Sequence, residues 1–108
     1  MLTIRESKLT KTAEEASEVA KEALKAMHFP GQIYEGKLVE ERLRDELMDL
    51  HVCEAILTHL RIIRPITRED LFLHFQSKYG KIEKYTRISH ELGALQEPWL
   101  PPPLLFGE

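Results

Sequence analysis

Between Ser7 and Met27 the chain holds neither glycine nor proline and is built largely of Ala, Glu and Lys. These residues lose little side-chain freedom on entering a helix, so the stretch predicts one long helix. Pro30 and Gly31, in "HFPGQ" (28–32), stop it. Gly36 to Ile63 is a second long helical stretch, ending before Pro65. Thr67 then reads as an N-cap, with Asp70 three residues on forming a near capping box. A third helix, "REDLFLHFQSKY", runs to Gly80. A shorter fourth helix from Lys81 to Leu95, or a bent continuation of the third, follows. No stretch alternates polar and apolar residues over a useful length. The expectation is therefore an all-α fold: a compact helical bundle with two long antiparallel helices, completed by oligomerisation.

The C-terminal segment "EPWLPPPLLFGE" cannot be helical through Pro101, Pro102 and Pro103. Residues 98–108 are therefore read as an extended apolar tail, lying on the helices or on a neighbouring subunit, and residues 1–97 as one domain. With 108 residues, a modest core is all such a chain can bury, which favours oligomerisation. A formal net charge of −3 gives no broad footprint for nucleic acid or an anionic membrane. A single cysteine, Cys53, forms no internal disulfide, and no signal sequence or membrane-length apolar run is present, so a cytoplasmic location is expected.

The chemistry-bearing residues are acids. On a helix each residue advances by about 100°, so positions i, i+3 and i+7 share a stripe. In the first helix Ala13, Ala16, Val19, Ala20, Ala23, Leu24 and Met27 make one apolar arc. Glu15 and Glu22 border it, Glu18 lies just beyond, and Glu14 points further toward solvent. Taken alone, that is an ordinary amphipathic helix. The second helix is less ordinary. Val39, Leu43, Leu47, Leu50, Ile56, Leu57 and Leu60 define its expected buried side, and Glu46 and Asp49 project into that arc, with Arg42 and Cys53 on their stripe. Burying two carboxylates costs several kcal/mol unless a cation or hydrogen bonds compensate. The cation is either Arg42, a lysine of the later helices, or a divalent metal held between Glu15, Glu18, Glu46 and Asp49.

The ordered pair "EEASE" (14–18) and "ELMD" (46–49) resembles the E-E-x-x-E and E-x-x-D motifs of the all-α nucleoside triphosphate pyrophosphatases, the superfamily of the MazG-like enzymes. The likeness covers residues 8–60. It implies Mg²⁺, with Mn²⁺ as a substitute, held by Glu15, Glu18, Glu46 and Asp49 as metal-binding and catalytic residues. It further implies hydrolysis of a ribo- or deoxyribonucleoside triphosphate to the monophosphate and pyrophosphate, in nucleotide-pool control, by a homodimer or homotetramer. Basic residues on a later helix contact phosphates in that family, which here points to Lys78, Lys81 and Lys84, although the expected Lys-x-x-Asn is absent. The helix that helps cover the base in larger members is also missing ahead of Glu14. The base pocket must then come from elsewhere, from a second subunit or from the Trp99 tail. Two alternatives stay open: a non-catalytic helical interaction module with salt-bridged acids, and a phosphoribosyl-ATP pyrophosphohydrolase. "LHVCEAIL" (50–57) lacks the Tyr-His pair expected of the latter.

The remaining residues read more simply. The five histidines show no zinc spacing. His51 is expected as a hydrogen-bonded core residue and Cys53 as a small core residue, while Glu54 points to an interhelical or intersubunit pair. Leu71, Phe72, Phe75 and Tyr79 read as packing residues. Tyr85 and Trp99 could stack on a base but fit burial better.

Overall fold

The computed structural model describes residues 1–93. Three helices dominate: α1 (Ile4–His28), α2 (Val39–His59) and α3 (Arg68–Glu91). Two short strands, β1 (Ile33–Tyr34) and β2 (Lys37–Leu38), pair antiparallel between α1 and α2. The chain divides after Pro65 into two units, the first holding α1, the hairpin and α2, the second holding α3. No helix among the described residues is long and apolar enough to cross a membrane.

The α1 N-terminus is closed by a capping box. Thr3 Oγ1 accepts from the Glu6 amide at 3.0 Å, and the Thr3 amide donates to Glu6 Oε1 at 3.2 Å. Two of the orphan donors of a helix start are thereby satisfied. Thr67 and Asp70 form the same reciprocal pair at the start of α3, as the spacing in the sequence suggests. α3 then continues through Gly80 as one helix to Glu91, so the described residues form no separate fourth helix. A lone glycine weakens a helix without ending it when the flanking residues are good formers.

The segment between α1 and α2 departs from expectation. It is a two-stranded hairpin, and α2 begins at Val39 rather than near Gly36. Glu35 (φ 51°) and Gly36 (φ 80°) form its two-residue turn, the positive-φ pattern that matches strand twist. The strands are too short for any alternation to show in the sequence. Hydrogen bonds tie the segment to both helices: the Phe29 amide donates to the Lys25 carbonyl of α1 at 2.8 Å, the Gly31 amide to Glu40 Oε2 of α2 at 3.0 Å, and the Val39 amide to the Gln32 carbonyl at 2.9 Å. Lys37 pairs with Asp45 on α2.

α1 and α2 pack against each other as an antiparallel pair, α2 through part of its expected arc and α1 mainly through a different face from its alanine-rich one. The sheltered stripe of α1 carries Thr12, Glu15, Val19, Glu22 and Ala26, while Ala13, Ala16, Ala20, Ala23, Leu24 and Met27 are exposed. On α2 the seam is Val39, Leu43, Glu46, Leu50, Cys53 and Leu57, and of these Val39, Cys53 and Leu57 are buried. Leu47, Ile56 and Leu60, expected inside, are exposed. The acid-bearing stripes face each other, and the alanine-rich arc faces outward. In α3, Phe75 and Tyr79 stack at 4.9 Å between ring centroids, whereas Leu71 and Phe72 are exposed.

Candidate metal centre

Heptad-like spacing on both helices sets the order of side chains along the seam. Going along α1 from Glu15, Glu22 comes two turns later and Lys25 one turn after that; going back along α2 from Asp49, Glu46 and Arg42 follow a turn apart. The antiparallel packing therefore matches Glu15 with Glu46 and Asp49, and Glu22 with Arg42.

One carboxylate oxygen from each of Glu15, Glu46 and Asp49 lies within 4.8 Å of the others. Glu15 and Glu46 are half-buried and Asp49 is exposed, so the cluster sits at the rim of the seam and opens to solvent. Glu18 is exposed and outside this group of three, though its charge still acts on Glu46. The Glu46 carboxyl titrates above the usual glutamate range, first because burial disfavours its charge, then because Asp49, Glu15, Glu18 and Glu22 repel it.

Arg42 does not relieve that repulsion. Its Nε donates to Glu22 Oε2 at 3.4 Å and its Nη2 to Glu22 Oε1 at 3.5 Å, while Nη1 stands 3.6 Å from Glu35 Oε2. Lys25 Nζ reaches Glu22 Oε1 at 3.5 Å. Glu22 is the buried charge of the unit, 2% exposed. Burial pushes its carboxyl up, but hydrogen bonds and charges from Arg42 and Lys25 outweigh this and hold it below the usual range. Glu15 has its own partner, Lys11, at 3.1 Å on the exposed side of α1. Among the described residues neither Glu46 nor Asp49 takes part in an ion pair or a side-chain hydrogen bond.

The donor set is three carboxylates, the hard oxygen ligands that Mg²⁺, Mn²⁺ and Ca²⁺ prefer. Three carboxylate oxygens already within 4.8 Å of one another are placed so that their side chains would together hold one such ion. The residues present fit such a group.

The other candidate residues fall elsewhere. Lys78, Lys81 and Lys84 stand on α3, in the second unit. His51 is exposed, not a core residue, and its Nδ1 lies 3.1 Å from Glu54 Oε1 on the same helix. That pair also supplies the partner of Glu54, within α2 rather than between helices. Cys53 is buried in the seam as a small core residue. Trp99 and the 98–108 tail lie outside the described residues. Reading the sequence missed Tyr34, whose ring has Lys25 Nζ 4.8 Å and the Arg42 guanidinium carbon 5.2 Å from its centroid. The available signal was the turn dipeptide Glu35-Gly36 just after it.

Comparison of the chain with protein-family models, with curated proteins and with solved structures returned no match.

Proposed function

We propose that the chain is a Mg²⁺-dependent nucleoside triphosphate pyrophosphohydrolase, the activity that its resemblance to the MazG-like enzymes implies. The observation that carries the reading is the unpaired state of Glu46 and Asp49. A structural salt-bridge network would place Arg42 on these acids; instead Arg42 is engaged by Glu22 and Glu35, and Glu46 is left among carboxylates. Glu15, Glu46 and Asp49 would hold the cation, which when bound offsets phosphate charge and makes a bound water more acidic. Glu18, exposed beside them, is the carboxylate free to take the proton of the attacking water. The water oxygen bonds to the α-phosphorus as the bridging P–O bond breaks, and pyrophosphate leaves with the released electron pair.

Oligomerisation belongs to the same proposal. Ala13, Ala16, Ala20 and Ala23 on α1 form a small-residue face without a partner among the described residues of their own unit, flanked by exposed Leu24 and Met27. A second copy packed on that face would complete a four-helix arrangement and leave the acids at its rim.

The test is pyrophosphate release from a panel of ribo- and deoxyribonucleoside triphosphates, with and without Mg²⁺, for the wild type and Glu18→Gln. Release that needs Mg²⁺ and falls by about a hundredfold or more in the variant is expected. No release from any member of the panel would overturn the assignment and leave a helical interaction module as the better reading.

A further inference from the structure

The α1 C-terminus, the hairpin and the α2 N-terminus enclose a cavity of about 140 Å³ lined by Lys25, Phe29, Gln32, Ile33, Tyr34 and Val39. It lies within the first unit, further along the same seam as the acids. Val39 forms a buried floor, whereas Phe29, Ile33 and Tyr34 are exposed apolar walls. Two aromatic rings and an isoleucine gathered around one small hollow form a surface that water solvates poorly. The cavity is well below the roughly 300 Å³ of a pocket for a whole drug-sized ligand, and so suits a single planar ring system.

Three further features narrow the ligand. Gln32 uses its backbone amide and carbonyl within the turn, bonded to the Phe29 carbonyl and the Val39 amide, while its side-chain amide makes no hydrogen bond among the described residues. A free carboxamide offers a donor and an acceptor side by side, the complement of a heteroaromatic edge. Lys25 and Arg42 stand over the Tyr34 ring, 4.8 and 5.2 Å from its centroid, and Lys25 also lines the cavity. Glu35, which the turn holds in the left-handed region, anchors Arg42 from the hairpin side.

Order along the seam supplies the rest. Carboxylates at Glu15, Glu46 and Asp49 come first, then the cations Arg42 and Lys25, then the aromatic cavity. Lys25, at the cavity wall, is ten residues beyond Glu15, about 15 Å along α1. A nucleotide presents its parts in the same order: metal-bound phosphates, sugar, base. We infer that this hairpin cavity is the nucleobase pocket, with Tyr34 and Phe29 as the stacking surface and Gln32 reading the edge of the base. The inference rests on the pyrophosphohydrolase reading for the order of the subsites.

The experiment uses two probes on the full chain. The four common nucleoside 5′-monophosphates, without metal, probe the pocket by amide chemical-shift titration; inorganic tripolyphosphate with Mg²⁺ probes the acidic site alone. At least one monophosphate is expected to shift the Gln32, Ile33, Tyr34 and Val39 amides of the wild type. Its affinity should fall about tenfold or more in Tyr34→Ala, the scale of one lost stacking contact. Gln32→Leu should instead flatten the preference among bases while the variant still binds. Both positions are exposed, so neither substitution endangers the fold. Monophosphates that bind Tyr34→Ala as well as the wild type, that shift amides elsewhere, or that do not bind overturn the pocket. The tripolyphosphate arm separates the two readings: its loss in Glu46→Gln and retention in Tyr34→Ala supports the metal site whatever the monophosphates do, and its failure in the wild type removes the metal site while monophosphate binding keeps the pocket.

Discussion

Arg42 grips Glu22 through two nitrogens across the α1–α2 seam and thereby leaves Glu46, one turn along its own helix, without a cation. One guanidinium lies near several acids, and the one it neutralises is the most buried. The pairing divides the seam into a structural ion pair and a charge-frustrated cluster. Opposite consequences for stability follow from the two halves.

Arg42→Ala leaves the Glu22 carboxylate buried with Lys25 alone. The variant should be less stable than the wild type, because a buried carboxylate loses one of its two cations. Chemical denaturation of the metal-free protein measures the difference. An unchanged midpoint would show that the long contacts of 3.4 and 3.5 Å contribute nothing.

Glu46→Gln has the opposite sign. Removing a carboxylate that Asp49, Glu15, Glu18 and Glu22 all repel relieves the cluster, so the metal-free variant should melt higher than the wild type. Were Glu46 instead part of a structural salt bridge, the same substitution would lower the melting temperature. A thermal melt in chelator distinguishes the two.

The pH dependence follows from the same division. The folded-state carboxyl of Glu22 is depressed, so its contribution is present above the unfolded glutamate value of about 4.3 and is lost as pH falls through the depressed value. For Glu46 the folded value is raised, so the folded state gains stability as pH falls through it toward the unfolded value. Glu22→Gln should therefore flatten the acid limb of a stability–pH curve, and Glu46→Gln should abolish the gain just above it. Urea midpoints across about pH 3 to 7 check both.

Two backbone positions should be improvable. Arg61 follows α2 with φ 59°, its amide bonded to the Thr58 carbonyl and that of Ile62 to the Leu57 carbonyl. This is the helix-ending Schellman pattern that favours glycine, so Arg61→Gly should stabilise by about 0.5–1 kcal/mol. Gly80 is the converse, a glycine within α3 where an added Cβ meets nothing within 4 Å. Gly80→Ala should raise helix stability by about 1 kcal/mol. Circular dichroism melts of the two variants test each claim.

Much of the helical frame can be read from the sequence because its determinants are local. Long runs without glycine or proline, the Thr67 cap and the Pro30-Gly31 stop act within a few residues of themselves. Which face of each helix turns inward is a different matter. The alanine arc of α1 is the more apolar one, yet the Glu15–Val19–Glu22 stripe packs on α2, because the partner brings Arg42 to pair with Glu22 and small Cys53 to fill the seam. The same stripe argument places Glu46 and Asp49 inward together with Leu47, but rotations of about 60° from Glu46 to Asp49 and about 100° from Glu46 to Leu47 separate a half-buried Glu46 from an exposed Asp49 and an exposed Leu47. Tyr34 was hidden for another reason: a two-residue strand leaves no periodic trace, and its contacts come from residues nine before it and eight after.

Direct titration with Mn²⁺, followed by the loss of its free-ion paramagnetic resonance signal, tests the metal centre on which the proposed chemistry depends. Metal-free wild type, Glu46→Gln and Asp49→Asn would be compared, with Mg²⁺ as competitor. Saturable binding that Mg²⁺ displaces and that either substitution weakens by about tenfold or more is the predicted result. Equal, weak, non-saturating binding to all three proteins would contradict it, and would mean that Glu15, Glu46 and Asp49 meet at the seam without a metal to hold.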